Sequence, residues 1–117
     1  MAFKFENLIV WQKAMDLNDL IFQISKNFPS EEKFNLTSQI RRAIDSVSLN
    51  IAEGSTSQSN PEFSRFLGYS IRSTVEVVCA LFIAKRRNYL SNDLFNDAYG
   101  KSEELVKMIQ SLKNHLK

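Results

Sequence analysis

An all-α fold, an antiparallel up-down four-helix bundle, is what the sequence predicts, and three observations carry it. Every long segment repeats its apolar residues at intervals of three and four, and none alternates at period two. Glycines number 3 and prolines 2, too few for a turn-rich β fold. The polar breaks leave four helices of roughly 20 to 28 residues joined by short connections, the pattern of a bundle of antiparallel neighbours. A length of 117 residues, 44% hydrophobic and 24% charged, is read as one domain, residues 1–117, with a single core.

The first helix is predicted from an N-cap at Asn7 to about Asn27, with Val10, Ala14, Leu17, Ile21, Ile24 and Phe28 as its seam. Trp11, Met15 and Phe22 broaden that seam. Phe28-Pro29-Ser30 stops the helix, because a residue preceding proline avoids the α region. Ser30 to Asn35 forms a short acidic connection with a helical turn at Glu31 and Glu32, and Asn35 or Thr37 caps the second helix.

The second helix, Leu36 to Gly54, carries an apolar stripe of Leu36, Ile40, Ala43, Ile44, Val47 and Ile51. Beside it runs a polar stripe of Gln39, Arg42, Ser46, Asn50 and Glu53, spaced for contact with another helix. Thr37, Ser38, Arg41, Asp45 and Ser48 make up the solvated face. Gly54 is read as a positive-φ helix stop. After the polar STSQSN loop, Asn60 as N-cap and Pro61 at the first helical position open a third helix running to about Asn88, which ends in a left-handed turn. Its core face is predicted to hold Phe63, Phe66, Leu67, Ile71, Thr74, Val78 and Leu81. Arg65, Tyr69, Arg72, Glu76, Ile83 and Arg87 take the far side. Val75 and Phe82 widen the apolar arc and point to neighbours on more than one side. Ser91 or Asn92 caps the fourth helix, whose seam of Leu94, Ala98, Leu105, Met108, Ile109, Leu112 and Leu116 runs to the C-terminus.

The run Ser38 to Gly54, SQIRRAIDSVSLNIAEG, resembles the signature of the four-helix-bundle proteins encoded within intervening sequences of bacterial large-subunit ribosomal RNA genes. The accessory protein of diversity-generating retroelements is a distant relative of that family. Further matching pieces are Phe5, Leu8 and Val10 to Ala14, then Phe28-Pro29, then Phe63, Arg65, Phe66 and Leu67 with Ser73 and Glu76 downstream. The resemblance implies a closed homopentameric ring with a central opening. Five copies at +2 each would carry +10. It also implies RNA or DNA, or a protein such as a reverse transcriptase, as a partner.

The chemical inventory argues against an enzyme. His115 is the only histidine and lies near the C-terminus; Cys79 is the only thiol and is read as a buried small residue. Together they cannot hold zinc, and no Glu-x-x-His pair, P-loop or Gly-x-Ser-x-Gly elbow is present. No cofactor or metal is expected. A lone cysteine and a polar start, MAFKFENLIV, point to the cytoplasm. No apolar run approaches the ~20 residues that span a bilayer, so no membrane partner is expected.

Candidate nucleic-acid-binding residues are Arg41 and Arg42 on the second helix, Arg65, Tyr69 and Arg72 in one stripe of the third, and the run Lys85-Arg86-Arg87 at its end. A net charge of +2 permits nucleic acid without demanding it. The polar stripe is read first as a structural seam, within a subunit or across an interface, with Asn50 and Glu53 as its best locks. The leading function is therefore a non-enzymatic oligomer that binds RNA or DNA through a basic face. The alternatives are a protein-interaction scaffold or accessory subunit without nucleic-acid binding, and a small-molecule binder using the polar stripe.

Overall fold

In the computed structural model, residues 3–117 are described. Four helices follow in chain order: α1, Ile9–Ser25; α2, Leu36–Ser55; α3, Asn60–Arg86; and α4, Asn92–His115. A 3-10 turn, Lys4–Asn7, precedes α1, and another, Ser30–Glu32, joins α1 to α2. Each helix packs on its neighbours in the chain and α1 closes on α4, while the diagonal pairs α1/α3 and α2/α4 bring no Cα atoms within 8 Å of each other. The cross-section is thus a square. The bundle measures 44 × 23 × 23 Å, and its core runs from Val10 through Ile109.

The heptad-like seams land in the core as predicted for α1, where Val10, Ala14, Leu17, Ile21 and Ile24 are all buried, and for the apolar stripe of α2. The helix ends depart by a few residues. Leu8, not Asn7, caps α1, because Phe5 turns back to meet the Trp11 ring edge-on at 4.8 Å and winds Lys4–Asn7 into its own turn. Ser59, not Asn60, caps α3, its hydroxyl accepting from the Glu62 N–H at 3.3 Å; Asn60 already lies inside the helix. Ser91 caps α4 by accepting from the Leu94 N–H at 3.2 Å, and Asn88 takes the left-handed turn with φ 62°.

Gly54 does not stop α2 by positive φ, since none of the described glycines has one. It lies within the helix, where an added Cβ would come within 2.7 Å of Phe66 Cβ and 3.0 Å of Phe63 Cδ1. Its missing side chain lets α2 and α3 approach. The same seam uses small residues on α3: Ser70, Ala80 and Ala84 are buried, together with Val77. This rotates the core face of α3 away from the predicted one, so Phe66, Ile71 and Val78 are only half-buried. Cys79, expected inside, is exposed. Thr37 and Ser48, expected on the wet face of α2, are buried; Ser48 donates to the Asp45 carbonyl of its own helix at 3.3 Å.

By length and composition α3 is apolar enough to cross a membrane, with an 18-residue window of mean hydropathy 1.5. The expectation concerned continuous apolar runs, and α3 reaches this mean without one of that length, because scattered polar residues interrupt the run yet barely lower the mean. Only 33% of that window is buried within the chain.

Candidate nucleic-acid interface

The α2/α3 face is held in register by hydroxyls. Ser46 Oγ and Ser73 Oγ lie 2.6 Å apart, and Ser70 donates to the Val47 carbonyl at 2.8 Å. With Gly54 seated on Phe66 at the far end, this antiparallel register sets Arg42 across from Glu76 and Glu53 across from Arg65. Of the polar stripe, Ser46 makes the bond that crosses to another helix. Half-buried Asn50 donates instead to the Ser46 carbonyl of its own helix at 2.8 Å. Gln39, Arg42 and Glu53 are exposed, so within a single bundle Glu53 locks nothing. The stripe lines neither the groove beside Trp11 and Leu49 nor the one beside Val75 and Tyr99.

Seven of the eight candidate binding residues fall into two groups, with Arg86 standing apart. Three are engaged inside the chain. Arg41 Nε donates to Ser25 Oγ at 2.8 Å while its guanidinium stacks 4.4 Å from the Phe22 ring centre, on the α1 side. Lys85 Nζ sits 4.4 Å over Phe95. Arg87 pairs with Glu32 at 2.7 Å. The basic run at the end of α3 is therefore mostly spent on structure, leaving Arg86 exposed between two engaged neighbours. Arg42, Arg65, Tyr69 and Arg72 form the second group, all exposed along the α2/α3 side. The ion pairs among the described residues are Arg87–Glu32 and Lys101–Asp97, so Glu76 does not close on Arg72 one turn away. The Phe66 ring meets Tyr69 edge-on at 5.7 Å and holds the phenol ring outward from the helix. Arg65, Tyr69 and Arg72 at intervals of four and three make one stripe, about 10 Å long at 1.5 Å per residue.

The partner of Arg87 is a cluster that sequence reasoning missed. Glu32, 6% exposed, accepts from Arg87 Nη1 at 2.7 Å and Tyr89 Oη at 2.8 Å through one oxygen. Its other oxygen accepts from Asn35 Nδ2 at 3.0 Å and the Leu36 N–H at 3.4 Å. The Tyr89 hydrogen bond is the main reason its carboxyl lies below the ordinary range; burial opposes, and Asn35, Leu36 and Arg87 add to the lowering. The same bond raises the Tyr89 phenol. Because the partners stand 55 and 57 residues apart in the chain, no local pattern signals them. Among the described residues, no three His, Cys, Asp or Glu side chains stand together as metal ligands.

Residues 6–111 match the family described as 23S rRNA-intervening sequence protein. The chain belongs to this family. The resemblance read from Ser38 to Gly54 and its flanking pieces therefore holds. A crystal structure of a protein of unknown function from the S23 ribosomal protein family of Bacteroides thetaiotaomicron superposes with a TM-score of 0.83 at 24% identity. The match covers 90% of this chain and 98% of that one, and it establishes the shared four-helix fold. No curated protein matches the chain. Neither the family nor the neighbour indicates an enzyme, and the neighbour is described as being of unknown function.

Proposed function

We propose that this member of the intervening sequence family is a non-enzymatic cytoplasmic protein that assembles as a homopentameric ring and binds RNA or DNA through its α2/α3 face. The observation that supports this reading is the exposed stripe Arg65, Tyr69, Arg72, with Arg42 beside it and, among the described residues, no carboxylate closed on any of the three guanidiniums. Guanidiniums contact phosphates and an interleaved phenol stacks on a base, a combination that favours backbone-led, sequence-tolerant binding. Symmetry would present each of these groups five times.

Fluorescence anisotropy with an RNA hairpin and a DNA duplex at low salt tests it. The affinity should fall with salt, log K dropping by about 0.7 to 0.9 per neutralised phosphate for each tenfold rise. Replacing Arg42, Arg65 and Arg72 together with glutamine should weaken binding to both probes and flatten that slope. Absence of binding by the native protein at tens of micromolar would defeat the proposal. A second reading, a docking face for a protein such as a reverse transcriptase, draws on Glu53 and Glu76, which interrupt the cations and leave the face of mixed sign. Native affinity that the triple substitution leaves unchanged would turn the α2/α3 face over to that reading.

A further inference from the structure

Arg41, engaged within the chain, is fixed there without being neutralised. Its Nε donates to Ser25 Oγ at 2.8 Å, and that hydroxyl, on a residue only 1% exposed, is anchored in turn by donating to the Phe22 carbonyl at 2.8 Å. The guanidinium carbon lies 4.4 Å from the centre of the Phe22 ring, which is itself 41% exposed. A hydroxyl and a phenyl ring orient the group and leave its whole positive charge standing. The same ring carries a second cation, for Lys26 Nζ lies 5.1 Å from its centre. The two charges are therefore separated by no more than those two distances laid end to end. Among the described residues no carboxylate stands within ion-pair distance of either. Asp45, one turn along α2 from Arg41, accepts from Asn18 Nδ2 at 2.9 Å instead. With Nε taken and one face on the ring, the Nη1 and Nη2 edge of Arg41 remains for a planar two-point contact.

We propose that Arg41 and Lys26 form a binding site for a dianionic phosphate group, inorganic or terminal on an organic molecule, on the α1/α2 side of the bundle. Two oxygens of the group would meet the Arg41 Nη edge and a third the Lys26 ammonium, with Phe22 and Ser25 as the positioning residues. The charges match: two cations face a group that carries about −1.5 to −2 near neutral pH and offers three acceptor oxygens. A carboxylate or a phosphodiester brings one negative charge and leaves half of the pair unanswered. Binding also begins from an ordered arginine, so little freedom is lost there, while the flexible Lys26 stem can swing off the ring onto the anion. Both faces of the site come from α1 and α2, apart from the stripe Arg65, Tyr69 and Arg72, and the site does not rest on the nucleic-acid reading.

Two-dimensional NMR of the native protein tests this, at constant ionic strength set with chloride. The signals to follow are the Arg41 Nε–H, assigned by its loss in Arg41→Lys, and the backbone amides of Ser25 and Lys26. Inorganic phosphate should shift them saturably, with a dissociation constant on the order of 1 mM for two charge-assisted contacts. Dimethyl phosphate, a singly charged diester, should bind about tenfold more weakly, and so should phosphate to Lys26→Gln and to Arg41→Lys, which keeps the charge but loses the fork. Circular dichroism checks that both variants stay folded. Adenosine 5′-monophosphate, with adenosine as its control, separates the sources. Affinity above that of inorganic phosphate assigns the site to phosphate on an organic body, and equal affinity assigns it to the free ion. The triple substitution of Arg42, Arg65 and Arg72 should leave the phosphate response in place, so this site and the α2/α3 face fail separately. No saturable shift at about 10 mM phosphate would overturn the proposal. So would a diester that binds as tightly, undiminished binding in both single variants, or loss of the response in the triple variant.

Discussion

Replacing Gly54 with alanine should destabilise the bundle, against the usual trend for a glycine inside a helix. Helix propensity alone would favour alanine by about 1 kcal/mol. The new methyl, however, would sit 2.7 Å from Phe66 Cβ, an atom fixed to the backbone of α3, and 3.0 Å from the Phe63 ring. Phe63 can tilt aside, but relief at Phe66 requires the two helices to separate by most of an ångström. Overpacking of that kind costs about 1–3 kcal/mol, so the net loss is about 1 kcal/mol and reaches 2. For a chain of this size that lowers the melting temperature by about 4 °C per kcal/mol. Gly100 on α4 supplies the internal comparison, because an added Cβ there meets nothing within 4 Å. Gly100→Ala should raise the melting temperature, by about 0.5–1 kcal/mol of stability. Calorimetry on the two variants decides the matter. A Gly54→Ala protein that melts at or above the native temperature would refute the close-approach role.

Stability should also depend on pH through Glu32. Its folded carboxyl lies below the ordinary value of 4.5, so its contribution is complete above that value and is lost as pH falls through the folded pKa. Urea titrations at pH 7 and below pH 4.5 should show a loss in the native protein that Glu32→Gln lacks; an equal loss in both would disprove it. At the alkaline end the raised Tyr89 phenol favours the fold below its ordinary 10.0, and stability should fall above that, less so in Tyr89→Phe. The Ser46–Ser73 bond should appear in a double-mutant cycle to alanine as a coupling of about 0.5–1.5 kcal/mol, and a coupling near zero would show the 2.6 Å contact to be idle. Glu53→Ala, at an exposed position, should change stability by no more than about 0.5 kcal/mol, and a larger loss would give Glu53 a partner.

The bundle was legible wherever the information was local. Intervals of three and four placed the α1 seam, and Ser91 and Asn88 marked their helix ends, because capping and left-handed turns are set by one or two residues. Gly54 was visible but its purpose was not. A glycine near a helix end looks the same whether it supplies a positive φ or admits a neighbouring helix, and only Phe66 across the seam tells them apart. The buried hydroxyls of Ser48 and Ser70 escaped because each satisfies itself on a carbonyl, which hydropathy counts as unmet polarity. The candidate binding residues were found by type and spacing. Their division into free and engaged groups was hidden: Arg87 is taken by a glutamate 55 residues earlier and Arg41 by a ring and a serine on α1.

The Glu32 cluster ties the α1–α2 connection to the α3–α4 connection at one end of the molecule, while the polar residues around Gln58 join the two halves at the other. Each half is a helical hairpin, and two hairpins with similar apolar stripes can dock in more than one orientation. Only one orientation brings Arg87 and Tyr89 to the buried carboxylate; the reversed pairing would leave it only the Asn35 and Leu36 donors of its own hairpin and no cation. The clasp therefore works as a key for a split protein. Fragments cut between Gln58 and Ser59 carry complementary halves of the key, and their reassembly should be unique in direction as long as Glu32 can ionise.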